Sequence, residues 1–192
     1  MGSKVQRPIL ETAIELFAAE GYFGVGIRDI AKAADVTPGS IFRLFDTKEK
    51  LFASALEAVA ERGLEPAEFQ KSLQSSPKAF AEVLHKALRR WYSSVTPQSA
   101  RLMMYAALSK QEEWRETASK RTSQISRILA ESIQREARKA KIKDIDAHAA
   151  ARTLISALLN LKSTHALLDR GEKEREAVER IIHQWIQGLS LN

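Results

Sequence analysis

The sequence has 192 residues, a formal charge of +6 at pH 7 and no cysteine, which excludes disulfides, thiol chemistry and cysteine-based zinc sites. It is long enough for one or two domains with a hydrophobic core. It has no apolar run near the roughly 18 residues that span a bilayer and no signal peptide, so we expect a cytoplasmic protein without a membrane partner. In residues 1–50 seven basic side chains balance seven acidic ones, so the positive surplus lies downstream. Net charge alone therefore does not indicate nucleic-acid binding.

Two short helices joined by a tight turn are predicted near the start of the chain. The first helix of the chain is expected from about Lys4 to Glu20, and Gly21 ends it. The pair follows, with one helix over 27–34 and the next over 38–45, because residues 35–37 break the apolar period between them. The pattern is typical of a helix-turn-helix.

The second helix of the pair has small residues at its start. Thr37 is the expected N-cap and Pro38 the first helical residue. A start with so little bulk can enter the DNA major groove, and Arg43 can donate to guanine or to a phosphate. The alternative stays open at this point, since two such helices also occur in all-α cores that bind no nucleic acid.

A wider pattern gives the region a family resemblance. The matching positions are Ile9, Ala13, Leu16, Phe17, Gly21, Tyr22, Phe23, Asp29, Ile30, Ala31, Phe42, Phe45, Lys48 and Leu51. On these residues the stretch 7–52 resembles the N-terminal DNA-binding domain of TetR-family transcriptional regulators. The resemblance implies base contacts by Thr37, Pro38, Gly39, Ser40 and Arg43. It also implies backbone contacts by Arg28, Phe42 and Lys48.

Three positions depart from the family pattern. Phe42 replaces the usual tyrosine and lacks its hydroxyl donor, and Gly26 replaces a hydroxyl residue that caps the next helix. Asp35 replaces the usual glycine and brings a negative charge near the DNA side. Together these changes predict fewer phosphate hydrogen bonds than in a typical relative. Lys48 is expected to contact a phosphate, although it could also be a surface lysine without a partner.

The remaining chain is predicted to be helical throughout. A fourth helix begins after a cap at Asp46 or Thr47 and ends near residue 62, and a linker with one helical turn is expected over 65–77. Further helices are expected over 77–95, 97–110, 112–141, 147–168 and 173–189. The fold class is therefore all-α with about nine helices. A three-helix helix-turn-helix DNA-binding domain (1–50) precedes a larger helical effector-binding and dimerisation domain (51–192).

The last two helices carry extensive apolar faces, more than one chain is expected to cover. The resemblance implies that they pair with their two-fold mates into a four-helix bundle, so that a homodimer reads a palindromic operator in double-stranded DNA. The residues assigned to this interface are Leu154, Leu158, Leu161, Ile181, Ile182, Trp185 and Leu189. Burial of the same faces within one chain is the alternative.

The resemblance also implies a ligand pocket among the middle helices, with release from DNA when a small molecule binds. The candidate lining residues are Phe80, Leu84, His85, Trp91, Met103, Met104, Tyr105, Trp114 and His165. They favour a small apolar or aromatic effector, although aromatic and methionine residues at helical spacing are also what any core contains.

An enzyme is the competing class, and the sequence gives it little support. There is no cysteine nucleophile, no glycine-rich phosphate loop and no metal-ligand spacing among the four histidines. We therefore predict no catalytic residue, no cofactor and no metal site. A third possibility is a helical dimer that acts through a protein partner or carries a ligand. The expected function is a ligand-responsive transcriptional repressor.

Overall fold

The computed structural model describes residues 6–74, 79–165 and 171–189. Within these ranges the chain forms ten helices, and none of their residues lies in a strand. The helices are α1 (Gln6–Gly24), α2 (Ile27–Ala33), α3 (Pro38–Phe45), α4 (Lys48–Arg62), α5 (Pro66–Gln74), α6 (Phe80–Ser94), α7 (Pro97–Ala107), α8 (Glu112–Lys139), α9 (Ala147–His165) and α10 (Gly171–Gly188). The predicted all-α class is confirmed.

The linker predicted over 65–77 is wrong for most of that segment, because α5 occupies it. Phe69 and Leu73, one helical turn apart, are both buried in a hydrophobic core. Pro66 stands at the first position of α5, where a missing N–H is tolerated, so this proline begins a helix instead of breaking one. The rest of the predicted linker, residues 75–77, lies outside the described residues.

The other predicted helix bounds agree with the structure to within a few residues. Gly21 interrupts helical geometry at the place expected, with φ 76° and ψ 168°, although α1 continues to Gly24. The structure ends α7 at Ala107 and α8 at Lys139, both slightly earlier than predicted. The predicted residues 4–5 of the first helix and 166–168 of the eighth lie outside the described residues.

The chain divides into two compact units. The first contains the described residues up to Arg62 together with Gln98–Ser119. Its core is built mainly from one face each of α1, α2, α3 and α4. The residues buried there to 0% exposure are Ile9, Ala13, Phe17, Ile30, Leu51, Phe52, Ala55, Leu56, Leu102 and Ala106. The boundary proposed at residues 50–51 therefore falls inside α4, a helix that belongs wholly to this unit.

The second unit contains Gly63–Pro97 and the described residues from Lys120 onward. Its core joins α5, α6, most of α8, α9 and α10. Phe69, Leu84, Leu88, Leu129 and Leu158 are buried there to 0% exposure. In the described part of the chain, no helix combines the length and apolar character needed to cross a bilayer.

Candidate nucleic-acid interface

The turn between α2 and α3 has the geometry that the sequence predicts. Asp35 adopts a left-handed conformation with φ 52°, which aspartate tolerates better than most residues. The amide of Val36 donates to the carbonyl of Ala31 at 2.9 Å, and the amide of Ala34 donates to Ile30 at 2.9 Å. These bonds satisfy carbonyls at the end of α2. The chain therefore reverses within a few residues.

Thr37 caps α3. Its backbone is extended, and its Oγ1 accepts a hydrogen bond from the amide of Ser40 at 3.2 Å. The two hydroxyl oxygens of Thr37 and Ser40 also lie 3.0 Å apart, within hydrogen-bond distance. Pro38 follows as the first helical residue, as predicted. A capped helix of fixed orientation presents its start to solvent, because Thr37, Pro38 and Gly39 are all exposed.

The two faces of α3 differ sharply. Ile41 and Phe45 are buried in the core of the first unit, at 1% and 5% exposure. Phe42 is 47% exposed and Arg43 is exposed as well. Among the described residues Arg43 makes no ion pair or hydrogen bond, so its guanidinium is available to a ligand. The positions expected to approach bases thus lie on the side of α3 that the core leaves uncovered.

Arg28 lies in the first turn of α2, where its side chain is exposed. Gly26 precedes this helix and donates its amide to Asp29 Oδ2 at 2.8 Å. The carboxylate of Asp29 thus forms one half of a capping box. The other half, a side-chain oxygen at position 26 that accepts from the amide of Asp29, is missing because residue 26 is a glycine. A β-carbon at Gly26 would lie 2.9 Å from that same oxygen. The glycine leaves room for the carboxylate.

The joint between α3 and α4 is held by Asp46 and Thr47. Asp46 has φ 62°, and its amide donates to the carbonyl of Phe42 at 2.8 Å. Thr47 caps α4 by accepting from the amide of Lys50 at 3.2 Å. The hydrogen bond from the Lys50 ammonium, at 2.6 Å, holds the pKa of the Asp46 carboxyl below its ordinary value. Of the two residues predicted to cap this helix, Thr47 is the one that does so.

Lys48 lies over the ring of Tyr22, a contact that the sequence analysis does not predict. Its Nζ lies 4.3 Å from the centroid of the Tyr22 ring, a distance at which an ammonium is attracted to an aromatic face. The Tyr22 hydroxyl donates to Glu49 Oε1 at 2.6 Å. Burial and then this hydrogen bond raise the pKa of Tyr22, and the same bond lowers the pKa of Glu49. These contacts orient Lys48 at the start of α4.

Tyr22 is itself part of an aromatic cluster in the first unit. Its ring packs edge-on against Phe52 at 5.1 Å and Trp114 at 4.9 Å, measured between centroids. Phe17 packs edge-on against Phe52 at 5.1 Å. Edge-to-face packing of this kind favours one orientation of the Tyr22 ring. Trp114 lies far from Tyr22 in the sequence, so no local pattern predicts that this cluster supports the ring beneath Lys48.

The residues predicted to line an effector pocket divide between the two units. The first unit contains Met103, Met104, Tyr105 and Trp114. The second contains Phe80, Leu84, His85 and Trp91, whereas the side chain of His165 lies outside the described residues. Trp114, Leu84 and Trp91 are core residues of their own units, at 5%, 0% and 4% exposure. The lining set stays a prediction, and these three side chains serve the cores.

A polar cleft of about 330 Å³ opens in the second unit, beside α6 and α10. Within it the Tyr92 hydroxyl donates to Glu174 Oε1 at 2.5 Å, and Lys162 Nζ lies 3.3 Å from the same oxygen. Nearby, Glu179 pairs with both His85 and Arg89 at 2.8 Å. The charges in this cleft are therefore largely matched, and its lining differs from the apolar, aromatic one that was predicted.

The residues assigned to a dimer interface also separate into two groups. Leu154, Leu158, Ile182 and Leu189 are buried inside one chain, at 1%, 0%, 0% and 8% exposure. Leu161, Ile181 and Trp185 are only partly buried. The first group lies in the chain's own core, and a side chain already out of water has little surface left to bury against a partner. The interface assignment as a whole stays a prediction. The second group keeps its place in the prediction.

Comparison with known proteins finds relatives of this chain among bacterial regulators. Residues 9–55 match the model of "Bacterial regulatory proteins, tetR family". Over 111 residues the chain is 32% identical to the transcriptional regulator AcrR of Shigella flexneri, covering 57% of this chain and 50% of that protein. Over 87 residues it is 33% identical to the transcriptional repressor Rv3405c of Mycobacterium tuberculosis, covering 45% and 42%. The chain spans about half the length of these relatives.

The fold is also similar to that of a solved regulator. The transcriptional regulator FadR of Bacillus subtilis, in complex with stearoyl-CoA, superposes with a TM-score of 0.69 at 18% identity. The match covers 95% of this chain and 98% of that one. These relatives and this neighbour are transcriptional regulators.

Proposed function

We propose that this chain, which belongs to the TetR family of bacterial regulatory proteins, regulates transcription by binding double-stranded operator DNA in the cytoplasm. The observation that carries the proposal is the exposed, capped start of α3. Thr37 caps α3, and Pro38 and Gly39, the small residues that follow it, are exposed to solvent. A helix start of this kind fits the major groove, with its amides and positive dipole end toward the DNA.

The proposed contacts fall into two classes. Thr37, Pro38, Gly39, Ser40 and Arg43 approach base edges, where Arg43 donates to guanine. Arg28, Phe42 and Lys48 approach the phosphates. Two observations support this role for Lys48: its ammonium is held over the Tyr22 ring, and it stands at the start of α4, where helix amides favour a phosphate.

The proposed assembly is a homodimer formed through α9 and α10. Leu161, Ile181 and Trp185 support it, because these apolar side chains remain partly exposed on a single chain. A two-fold dimer presents two copies of α3 to half-sites about 34–36 Å apart, or a multiple of that distance. The operator is therefore palindromic.

We further propose that the protein is a repressor released by a small molecule. Support comes from the family and from the solved FadR neighbour, which holds stearoyl-CoA. A ligand releases DNA only if it binds the two conformations of the protein with different affinity. The proposed effector is a small apolar or aromatic molecule, the class that the aromatic and methionine residues named above favour.

Selection of fragments from the host genome by the purified protein tests the proposal. The selected fragment and random DNA are then titrated at two salt concentrations, with Arg138→Gln as a control that removes one positive charge outside the proposed contacts. We expect a palindromic site, bound by a dimer more tightly than random DNA. Salt-sensitive binding without sequence preference would mean that the first unit only holds phosphates. Absence of binding would contradict the proposal.

A further inference from the structure

A second groove in the second unit lies between α8 and α9 and has a volume of about 320 Å³. Ligand clefts range from about 300 to 1,000 Å³, so this one suits a small molecule. On the α8 side its wall is polar. Ser123, Ser126 and Arg127 line it at i, i+3 and i+4 spacing, and Thr122 stands beside them. This spacing places them on one face of the helix.

The α9 side of the groove carries a matching stripe. His148, Arg152 and Ser156 follow at i, i+4 and i+8 and therefore lie above one another along α9. Ile155, which is 1% exposed, supplies an apolar element of the lining. The two arginines thus project from opposite walls of one groove.

The charges in this groove are unmatched. Among its described lining residues there are two arginines and one histidine but no carboxylate. In the part of the chain that the structure describes, Arg127 and Arg152 make no ion pair, whereas Arg62, Arg90 and Arg121 each pair with a glutamate. None of the four lining hydroxyls donates or accepts a hydrogen bond within the described ranges. The groove therefore contains unused donors for an anion.

We propose that this groove binds a small organic molecule that has one anionic group, a carboxylate or a phosphate, and a short apolar portion. The planar guanidinium forks of Arg127 and Arg152 match either anion with paired hydrogen bonds. The hydroxyls of Ser126 and Ser156 add neutral donors, and the aliphatic stems of Arg127 and Arg152 cover the apolar portion. The site stands independently of DNA binding, and it differs from the charge-matched cleft around Lys162 and Glu174.

Isothermal titration of the full chain tests the site without any DNA, so its outcome is separate from that of the operator experiment. The probes are hexyl phosphate and hexanoate, with 1-hexanol as the uncharged analogue of the same chain length. We expect saturable binding of at least one anion and none of 1-hexanol at equal concentration. The tighter of the two anions distinguishes phosphate from carboxylate ligands.

Variants locate the binding. In the double variant Arg127→Gln and Arg152→Gln we expect affinity to fall by at least about tenfold, because charged hydrogen bonds are lost. Arg138→Gln, on the same helix but outside the groove, should change affinity by less than about twofold. Circular dichroism melts confirm that each variant is folded. No saturable binding of either anion, equal binding of 1-hexanol, or undiminished binding by the double variant would overturn the proposal.

Discussion

The first unit leaves its candidate binding residues exposed, whereas the second unit buries most of the residues assigned to its interface. Gly39 and Arg43 on α3 are exposed, as is the cap residue Thr37, while Ile41 and Phe45 are buried in the core. On α9 and α10 the dimer interface was assigned to apolar residues, and most of these residues are buried in the core of one chain. Apolar periodicity identifies the face that packs. Candidate binding residues are better sought among the positions of the same helix that this periodicity predicts to be exposed.

The largest expected effect is a loss of stability, and it distinguishes the buried apolar residues of the second unit from the partly exposed ones. Leu158→Ala removes a fully buried side chain and should lower the free energy of unfolding by about 2–5 kcal/mol. Trp185→Ala, at a partly exposed position, should instead raise the dimer dissociation constant. Urea unfolding and sedimentation equilibrium measure the two quantities. Loss of the dimer in Leu158→Ala with unchanged unfolding would return that residue to the interface.

Arg43→Ala tests the exposed face of α3. We expect a loss of about 1–3 kcal/mol on the selected site and weaker discrimination from random DNA. Lys48→Ala, its matched control, should weaken binding to all DNA alike and reduce the salt slope by about 1. Fluorescence anisotropy at several salt concentrations measures both. Equal losses on selected and random DNA for Arg43→Ala would make that arginine a phosphate anchor.

Phe42→Tyr restores the hydroxyl that the family pattern has at this exposed position. A new hydrogen bond to a phosphate should tighten DNA binding by about 0.5–1.5 kcal/mol. The same anisotropy titration measures the gain, and the stability of the folded chain should not change. An unchanged affinity would show that the ring does not lie against a phosphate.

Tyr22→Phe tests the support beneath Lys48. The ring stays, but the hydrogen bond to Glu49 is lost, which should cost about 0.5–1 kcal/mol of unfolding free energy at pH 7, because the carboxylate is exposed. The lowered pKa of Glu49 means that this stabilisation is present above the ordinary glutamate value and disappears as pH falls through the lowered one. Urea unfolding at pH 7 and pH 3 should therefore show a difference that is smaller at pH 3. A difference of equal size at both pH values would contradict this origin.

What the sequence predicts well is local in the chain. The cap at Thr37, Pro38 at the start of α3 and the left-handed Asp35 all follow from neighbouring residues, and the structure confirms them. The Tyr22–Glu49 bond joins residues 27 positions apart, and only the packed fold brings them together. The same holds for Leu158, because its burial depends on which helices surround α9.

The most direct measurement places α3 on DNA. The chain contains no cysteine, so Gly39→Cys creates one attachment point for a DNA-cleaving iron chelate. A β-carbon at this position meets nothing closer than Thr37 Oγ1 at 3.9 Å, so the substitution fits. If α3 enters the major groove, the labelled protein should cut the selected site within each half-site, while the same label at Ser123→Cys should not. Binding with cuts absent, or with both labels cutting alike, would contradict DNA recognition by α3.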